Sequence, residues 1–282
     1  TAFGGLFRDG RAATLAEQAK QPFLDAREMA NPSVEAVIAR LRQSSNAARF
    51  RAVFGAAALD DAAIAFDRLA AAIAQYEAEL PDFRRFDSKY DAYLAGQTLL
   101  TAQEARGLAV FEDPDKGNCA ACHPSRPAAD GSPPLFTDFT YDNVGVPRNG
   151  RIPANADPSF FDLGLCGPER NDLADRRDLC GAFKVPTLRN VARTAPYFHN
   201  GAFGTLREVV DFYARRDTEP AAWYPESPAG VRRFDDLPRE LTGTVNTAEV
   251  PYGRKAGGTP ALTPAEVDDV VAFLRTLDDG YN

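Results

Sequence analysis

Two cysteines and a histidine stand together near the middle of the chain, in the run Cys119-Ala-Ala-Cys122-His123. Two thiols at this spacing can add to the two vinyl groups of a haem, while the adjacent imidazole reaches the iron from below. The chain holds only four cysteines and two histidines, which makes a chance CxxCH run rare. We therefore predict a covalently attached haem c, with His123 as an iron ligand.

A zinc site is the alternative use of these side chains. The other two cysteines, Cys166 and Cys180, would have to complete it, but they lack the close CxxC pairing that structural zinc favours. They lie in a Gly-, Pro-, Asp- and Asn-rich segment at about 124–186. A disulfide there would stabilise a loop with little core of its own by roughly 3 kcal/mol in the chain-entropy model. Two buried free thiols are the alternative.

The redox chemistry of the cysteines also indicates a compartment. Covalent haem and a disulfide both belong outside the reducing cytoplasm, so we predict a periplasmic protein. A net charge of −8 argues against a nucleic-acid partner, which usually meets a basic face. No apolar run approaches the ~18 residues of a membrane span.

The elements that must position the motif are predicted to be helices. Capping-box pairs, in which a hydroxyl and a carboxylate satisfy free backbone amides, occur at Thr14/Glu17, Thr101/Glu104 and Thr263/Glu266. Helical patterns cover 33–42, 60–80 and 101–111, and apolar residues repeat at helical spacing after Pro264. Strand signals are weak, and 124–186 is mostly irregular. The prediction is a mainly α fold with long irregular loops, little β and a domain boundary in the polar stretch before the Thr101 helix.

Longer stretches of the sequence carry a family resemblance. FRDGRAATLAEQAKQPFLDAREMAN near the N-terminus, FKVPTLRNVARTAPYFHNGAF at 183–203 and LTPAEVDDVVAFLRTL at the end resemble the bacterial di-haem cytochrome c peroxidase and MauG family. The resemblance spans nearly the whole chain. It implies cytochrome c-type haem domains, with 1–98 as the remainder of an N-terminal one and 99–282 as the C-terminal one.

The family normally carries two CxxCH runs, and this chain has one. The resemblance implies that the first lies in an upstream segment outside the sequence given; a natural single-haem variant is the alternative. One haem c is therefore expected in this chain and two in the full protein.

Tyr213 is the candidate second iron ligand. Spacing alone favours a core tyrosine, because Leu206, Val209 and Val210 share its helix face. Peroxidase members of the family, however, place an axial methionine nineteen residues after the position of Thr194, and MauG-type members place a tyrosine there. The resemblance therefore implies that Tyr213 is an iron ligand opposite the histidine. An anionic phenolate favours Fe(III) and more oxidised iron over Fe(II).

Three residues near the N-terminus match the pocket of the N-terminal haem. In the family, a carboxylate at the position of Glu28 can move a proton between peroxide oxygens. Gln18 matches a second position of that pocket, and Pro22 one that packs over the open iron face. An exposed helix residue is the alternative for Gln18. Arg8 departs from the family, which usually has there a tryptophan thought to pass electron holes between the haems.

The second long motif supplies further candidates. Thr194 and Pro196 match positions whose backbone carbonyls help bind calcium between the domains, and oxygen ligands suit that hard cation. His199 is expected to be a structural hydrogen-bonding residue and not an iron ligand. Arg189 could pair with a haem propionate, with an ordinary surface ion pair as the alternative.

The resemblance implies an enzyme, and three functions stand as hypotheses. The favoured one is a MauG-like oxidase that uses hydrogen peroxide and high-valent haem iron to oxidise a protein partner. The second is a cytochrome c peroxidase that reduces hydrogen peroxide with electrons from a small redox protein. The third is a non-enzymatic c-type electron carrier.

Overall fold

A computed structural model describes residues 4–281, except for the side chain of residue 82. The chain divides into two compact units, Thr1–Arg85 and Phe86–Asn282. The fold is mainly α, as the sequence predicts. Among the described residues, no helix combines the length and apolar character needed to cross a membrane.

The first unit is built from four helices with a common apolar core. They are α1 (Leu15–Leu24), α2 (Val34–Gln43), α3 (Ala47–Phe54) and α4 (Ala62–Glu79). Side chains of Thr14, Ser33 and Asp61 accept backbone N–H bonds at the starts of α1, α2 and α4. Such caps stabilise a helix by about 1 kcal/mol each. The core side chains include Val37, Ile38, Phe50, Leu59, Ala65 and Phe66.

The second unit contains α5 (Lys89–Leu94), α6 (Ala102–Glu112), α7 (Leu206–Arg215) and α8 (Pro264–Leu274). Helices α6 and α8 pack against each other most closely at Gly107, where a β-carbon would lie 1.9 Å from the Asp269 carbonyl oxygen. Only glycine permits this approach. The apolar residues that the sequence placed on one face of the C-terminal helix are buried in the core of the second unit: Val267, Val270, Val271, Leu274 and Leu277.

The long segment between α6 and α7 is irregular, as expected. Its regular structure is limited to a two-residue antiparallel pair, β1 (Tyr141–Asp142) with β2 (Phe183–Lys184), and a few short 3-10 turns. A similar pair, β3 (Glu226–Ser227) with β4 (Gly230–Val231), follows α7. The predicted Cys166–Cys180 disulfide is present in this segment.

The two units meet in the chain at Arg85–Phe86, earlier than the boundary predicted after residue 98. The physical reason is that the polar stretch before α6 contains α5. Its Tyr90 is buried in the core of the second unit, with ring centroids 5.5 Å from Phe136 and 5.3 Å from Phe273. The stretch is therefore part of the second unit and not a linker.

Candidate haem site

The CxxCH run folds as one tight turn after α6. Cys119–Ala121 form a 3-10 turn, and the His123 backbone N–H donates to the Cys119 carbonyl oxygen at 2.9 Å. The turn is entered through Asn118, whose φ of 50° is left-handed. This local geometry keeps the two cysteines and the histidine of the run together.

His123 is held in one tautomer. Its Nδ1 lies 2.7 Å from the Phe136 carbonyl oxygen. Because that oxygen can only accept, Nδ1 must carry the hydrogen, which leaves the Nε2 lone pair free for a metal. Burial lowers the pKa of His123, so the ring stays neutral. A neutral, oriented imidazole is the form that ligates iron.

Tyr213 lies on α7, in the same unit as the CxxCH turn. Burial raises the pKa of Tyr213, and negative charge at Asp142, Cys119 and Cys122 raises it further. Helix α7 is fixed by the Thr205/Glu208 capping box at its start and by aromatic packing of Phe212 within the unit.

These residues fit a haem c and not a zinc ion. A thiol pair, an oriented imidazole and a phenol are the groups that haem attachment and axial ligation require. Zinc would need more sulfur or imidazole ligands, but Cys166 and Cys180 are joined in a disulfide. Within residues 4–281, no group of three or more His, Cys, Asp or Glu side chains is arranged to hold a metal ion. Because Cys166 and Cys180 are bonded to each other, they cannot complete a four-cysteine zinc site with Cys119 and Cys122, and that alternative is wrong.

Residues that the sequence did not single out surround Tyr213. The Tyr252 ring stacks on it, with centroids 5.9 Å apart and planes at 28°. The guanidinium carbon of Arg216 lies 3.8 Å from the centroid of the Tyr252 ring. The segment of Tyr252 is joined to the haem motif, since the Asn118 side chain donates to the Val250 carbonyl oxygen at 3.1 Å. Arg216 lies at the end of α7 and Tyr252 lies in a loop. Neither belongs to a periodic sequence pattern, so the sequence alone does not identify them.

The N-terminal candidates lie together in the first unit. Gln18 and Pro22 are four residues apart on α1, which places them on one helix face. Glu28 is exposed in the following turn, which folds back so that the Met29 backbone N–H donates to the Pro22 carbonyl oxygen at 3.1 Å. Their roles at a haem stay predictions.

Arg8, which stands where the family usually has a tryptophan, lies in the segment before α1. Arg8 is exposed, while its neighbour Asp9 is buried and paired with Arg11 at 3.1 Å. The Asp-Gly-Arg part of the motif therefore has a structural use in this unit. The guanidinium of Arg8 offers no aromatic ring for electron transfer.

Arg189 makes an internal ion pair. Its guanidinium donates to both carboxylate oxygens of Asp91, at 2.6 and 2.9 Å, and packs 4.3 Å from the Phe86 ring centroid. This geometry supports the ion-pair interpretation over the haem propionate, although the pair is partly buried and not at the surface.

The remaining candidates lie in the turn before α7. His199 stacks on Phe183 with centroids 3.7 Å apart and places Nε2 3.2 Å from Asp236. These contacts agree with the structural role that the sequence predicts for His199. Thr194 and Pro196 are exposed. Their part in calcium binding stays a prediction.

Comparison with known proteins identifies relatives of this chain. The family model described as di-haem cytochrome c peroxidase matches residues 1–99. MauG of Paracoccus denitrificans is 39% identical over 282 residues, which cover 98% of this chain and 68% of the relative. Cytochrome c peroxidase Ccp of Escherichia coli is 33% identical over 279 residues, covering 98% of this chain and 45% of the relative.

A solved structure agrees with both the sequence and the fold. The diheme peroxidase BthA of Burkholderia thailandensis superposes with a TM-score of 0.89 at 44% identity, covering 98% of this chain and 66% of that one. The chain thus spans about two thirds of the length of BthA and of MauG, at 66% and 68%. These similarities confirm the resemblance carried by the sequence motifs, and the chain belongs to the di-haem cytochrome c peroxidase and MauG family.

Proposed function

We propose that this chain is part of a periplasmic, MauG-like di-haem enzyme that uses hydrogen peroxide to oxidise a protein partner. The observation that carries the proposal is the position of Tyr213, which lies on α7 of the same unit as the CxxCH turn and matches the axial tyrosine that the resemblance implies. The relative named MauG, at 39% identity over nearly the whole chain, supports this branch of the family.

The residues of the second unit would hold the haem from both sides. Cys119 and Cys122 would tether it through thioether bonds, and neutral His123 would offer Nε2 to the iron. Tyr213 would be the second iron ligand, and as a phenolate it would stabilise oxidised iron relative to a thioether ligand. When bound, the haem would supply the redox chemistry between peroxide and the partner.

The residues of the first unit would act at the peroxide. We propose that Glu28 carries a proton between the two peroxide oxygens, which assists cleavage of the bond between them. Gln18 and Pro22 would border the same pocket from α1. Carbonyl oxygens of Thr194 and Pro196 would supply part of a calcium site.

The iron ligand is tested by the variant Tyr213→His. We expect changed optical and EPR spectra of the haem in the second unit and a loss of partner oxidation. Tyr281→His is a control, because Tyr281 is exposed and its hydroxyl meets the exposed Thr98 side chain. Identical spectra for Tyr213→His and the unmodified protein would remove the basis of the proposal.

A peroxidase is the second candidate, favoured by the relatives named cytochrome c peroxidase and by the diheme peroxidase structure. Two assays separate the candidates: steady turnover of peroxide with a reduced small cytochrome, and single-turnover oxidation of a co-purifying protein. Rapid turnover without protein oxidation supports the peroxidase. If peroxide leaves the Soret band of the full protein unchanged, neither enzyme applies and an electron carrier remains.

A further inference from the structure

A basic surface lies on the first unit, at the end of α2 and on α3. Between Glu35 and Asp60 the sequence has no acidic residue and four arginines: Arg40, Arg42, Arg49 and Arg51. The whole chain has a net charge of −8, so this segment has the opposite sign to the rest of the protein. A local excess of positive charge attracts negatively charged partners.

Two of these arginines are not used within the fold. Arg49 and Arg51 are exposed on α3, and among the described side chains neither guanidinium has a hydrogen-bond or ion-pair partner. Arg42, in contrast, donates to the backbone carbonyl oxygens of Leu59 at 2.8 Å and Asp60 at 3.2 Å. Both acceptors are uncharged, so these bonds fix the position of Arg42 without neutralising its charge.

An apolar groove adjoins the arginines. Its volume is about 490 Å³, and its lining includes Phe54 at the end of α3, Ile64 in the first turn of α4, and Arg68. Ile64 is 51% exposed. Arg51 lies three residues before Phe54, so the two side chains are neighbours on the surface of α3. The groove therefore offers an apolar contact with positive charge beside it.

The carboxylates at the groove do not cancel this charge. Asp60 and Asp61 also line it. The Asp61 carboxylate accepts the Ile64 backbone N–H at 2.9 Å and thereby caps α4. Two carboxylates, one of them used as a cap, face the guanidinium groups of Arg42, Arg51 and Arg68.

This combination fits a protein partner better than a membrane or a nucleic acid. Protein interfaces place an apolar side chain in a pocket and surround it with charged groups. Binding to a membrane surface needs a helix with a broad apolar face, whereas α3 has eight residues and exposes Val53 beside alanines. A nucleic-acid partner usually meets a protein that is basic as a whole.

We propose that α3 and the adjoining groove form a docking surface for an acidic protein segment. An apolar side chain of that segment enters the groove between Phe54 and Ile64, and neighbouring carboxylates pair with Arg49 and Arg51. The inference goes beyond the proposed function, because docking here does not depend on which reaction the haems perform.

The probe is a fluorescein-labelled helical peptide with leucines on one face and glutamates on both sides of them. It is added to the full, haem-loaded protein, and fluorescence anisotropy measures its affinity. A second peptide has lysine in place of every glutamate. We expect the glutamate peptide to bind at least about tenfold more tightly than the lysine peptide, with an affinity that falls as ionic strength rises.

The double variant Arg49→Glu/Arg51→Glu tests the charge. We expect it to weaken binding of the glutamate peptide about tenfold, because attraction becomes repulsion at both positions. Arg177→Glu/Arg239→Glu is the matched control, since it changes the net charge equally at two exposed arginines of the second unit. Binding by the control should equal that of the unmodified protein. Equal weakening by the two double variants overturns the inference.

Ile64→Glu tests the groove. Ile64 is the third residue of α4, where a glutamate suits the start of a helix, so the fold should be kept. We expect about tenfold weaker binding, because the apolar side chain of the peptide loses its burial. Unchanged binding by Ile64→Glu overturns the place of the groove in the proposal.

Other occupants of the surface give different results, and each overturns the inference. If another part of the full protein covers the groove, the glutamate peptide does not bind. If a second copy covers it, the full protein is a dimer that Arg49→Glu/Arg51→Glu dissociates. A membrane or nucleic-acid site shows tighter binding of phosphatidylserine vesicles or of a DNA duplex than of the peptide, lost in the same variant.

Circular dichroism and haem content show whether the variants fold. If Arg49→Glu/Arg51→Glu does not fold, Arg49→Gln/Arg51→Gln replaces it, with weaker peptide binding supporting the inference and unchanged binding overturning it. Loss of partner oxidation with intact peptide binding counts against the proposed function and not against this surface.

Discussion

Asp236 is the centre of a polar cluster beneath the segment that leads to α7. Its carboxylate accepts hydrogen bonds from His199 at 3.2 Å and Asn200 at 2.8 Å, and pairs with Arg148 at 3.5 Å. The segment it holds also presents Phe198, whose ring centroid lies 5.7 Å from that of Tyr213. One carboxylate thus helps to fix the surroundings of the proposed iron ligand.

We expect Asp236→Ala to lower the free energy of unfolding of the second unit by about 3 kcal/mol, because removing one partner leaves buried donors unpaired. Urea unfolding at pH 7 measures it. Asp268→Ala is the control, since Asp268 pairs with Arg207 at an exposed position and such pairs contribute about 0–1 kcal/mol. Equal effects of the two substitutions would contradict this account.

How far the sequence predicts the haem site depends on the residue. Spacing alone identifies Cys119, Cys122 and His123, because thioether attachment requires that order of side chains. Tyr213 needs the family resemblance, since a helix face with a tyrosine in it equally describes a core residue. Neither spacing nor the family resemblance identified Tyr252 and Arg216, because contacts between residues distant in the chain leave no local sequence pattern.

At the scale of elements, α6 and α8 meet through backbone contact as well as side chains. A β-carbon at position 107 would also lie 2.9 Å from the β-carbon of Phe273. The Arg106 side chain donates to Asp269 at 2.8 and 2.9 Å beside this contact. The crossing places the end of α6, and hence the haem turn that follows it, against the core.

We predict that Gly107→Ala separates the two helices and destabilises the second unit by about 1–3 kcal/mol, the usual cost of overpacking. Thermal unfolding and the amount of attached haem per chain report the effect. Gly150→Ala is the matched control, because a β-carbon there meets no atom within 4 Å. Haem content and stability of Gly107→Ala equal to those of the control would show that the crossing is not this tight.

The sequence predicted helices correctly where a capping box marks the start of the helix. The capping boxes at Thr101 and Thr263 are both complete and begin α6 and α8. At Thr14 only the hydroxyl half is present, since the Glu17 carboxylate bonds the Ala13 backbone N–H. Helix α3 was not predicted because it is short and has no side-chain cap. Helix α5 was missed although its Ser88/Asp91 capping box is complete, because only six residues follow it in the helix.

At the scale of the whole molecule, the first and last segments of the second unit are hydrogen-bonded to each other. The Tyr281 backbone N–H donates to the Asp87 carbonyl oxygen at 3.0 Å. The bidentate pair of Asp91 and Arg189 joins the entry of the unit to the segment before α7. Neither contact could be predicted from the sequence, because each joins positions about a hundred or more residues apart.

The Asp91–Arg189 pair should make the stability of the second unit depend on acid. Burial alone would raise the pKa of Asp91, but hydrogen bonds from Arg189 and Ser88 hold it below its usual value. A carboxyl with a lowered folded pKa stabilises the fold above its unfolded pKa of about 3.9. That contribution is lost as the pH falls through the lower folded value.

We therefore expect Asp91→Asn to lower the free energy of unfolding by about 2 kcal/mol at pH 7, the range for a charge-assisted hydrogen bond. The difference from the unmodified protein should stay constant down to about pH 5 and shrink below about pH 4. Urea unfolding at several pH values between 3 and 7 measures it. Asp172→Asn is the control, because its pair with Arg170 leaves the carboxylate 64% exposed and worth little. A difference for Asp91→Asn that is as large at pH 3 as at pH 7 would show that the negative charge of Asp91 does not stabilise the fold.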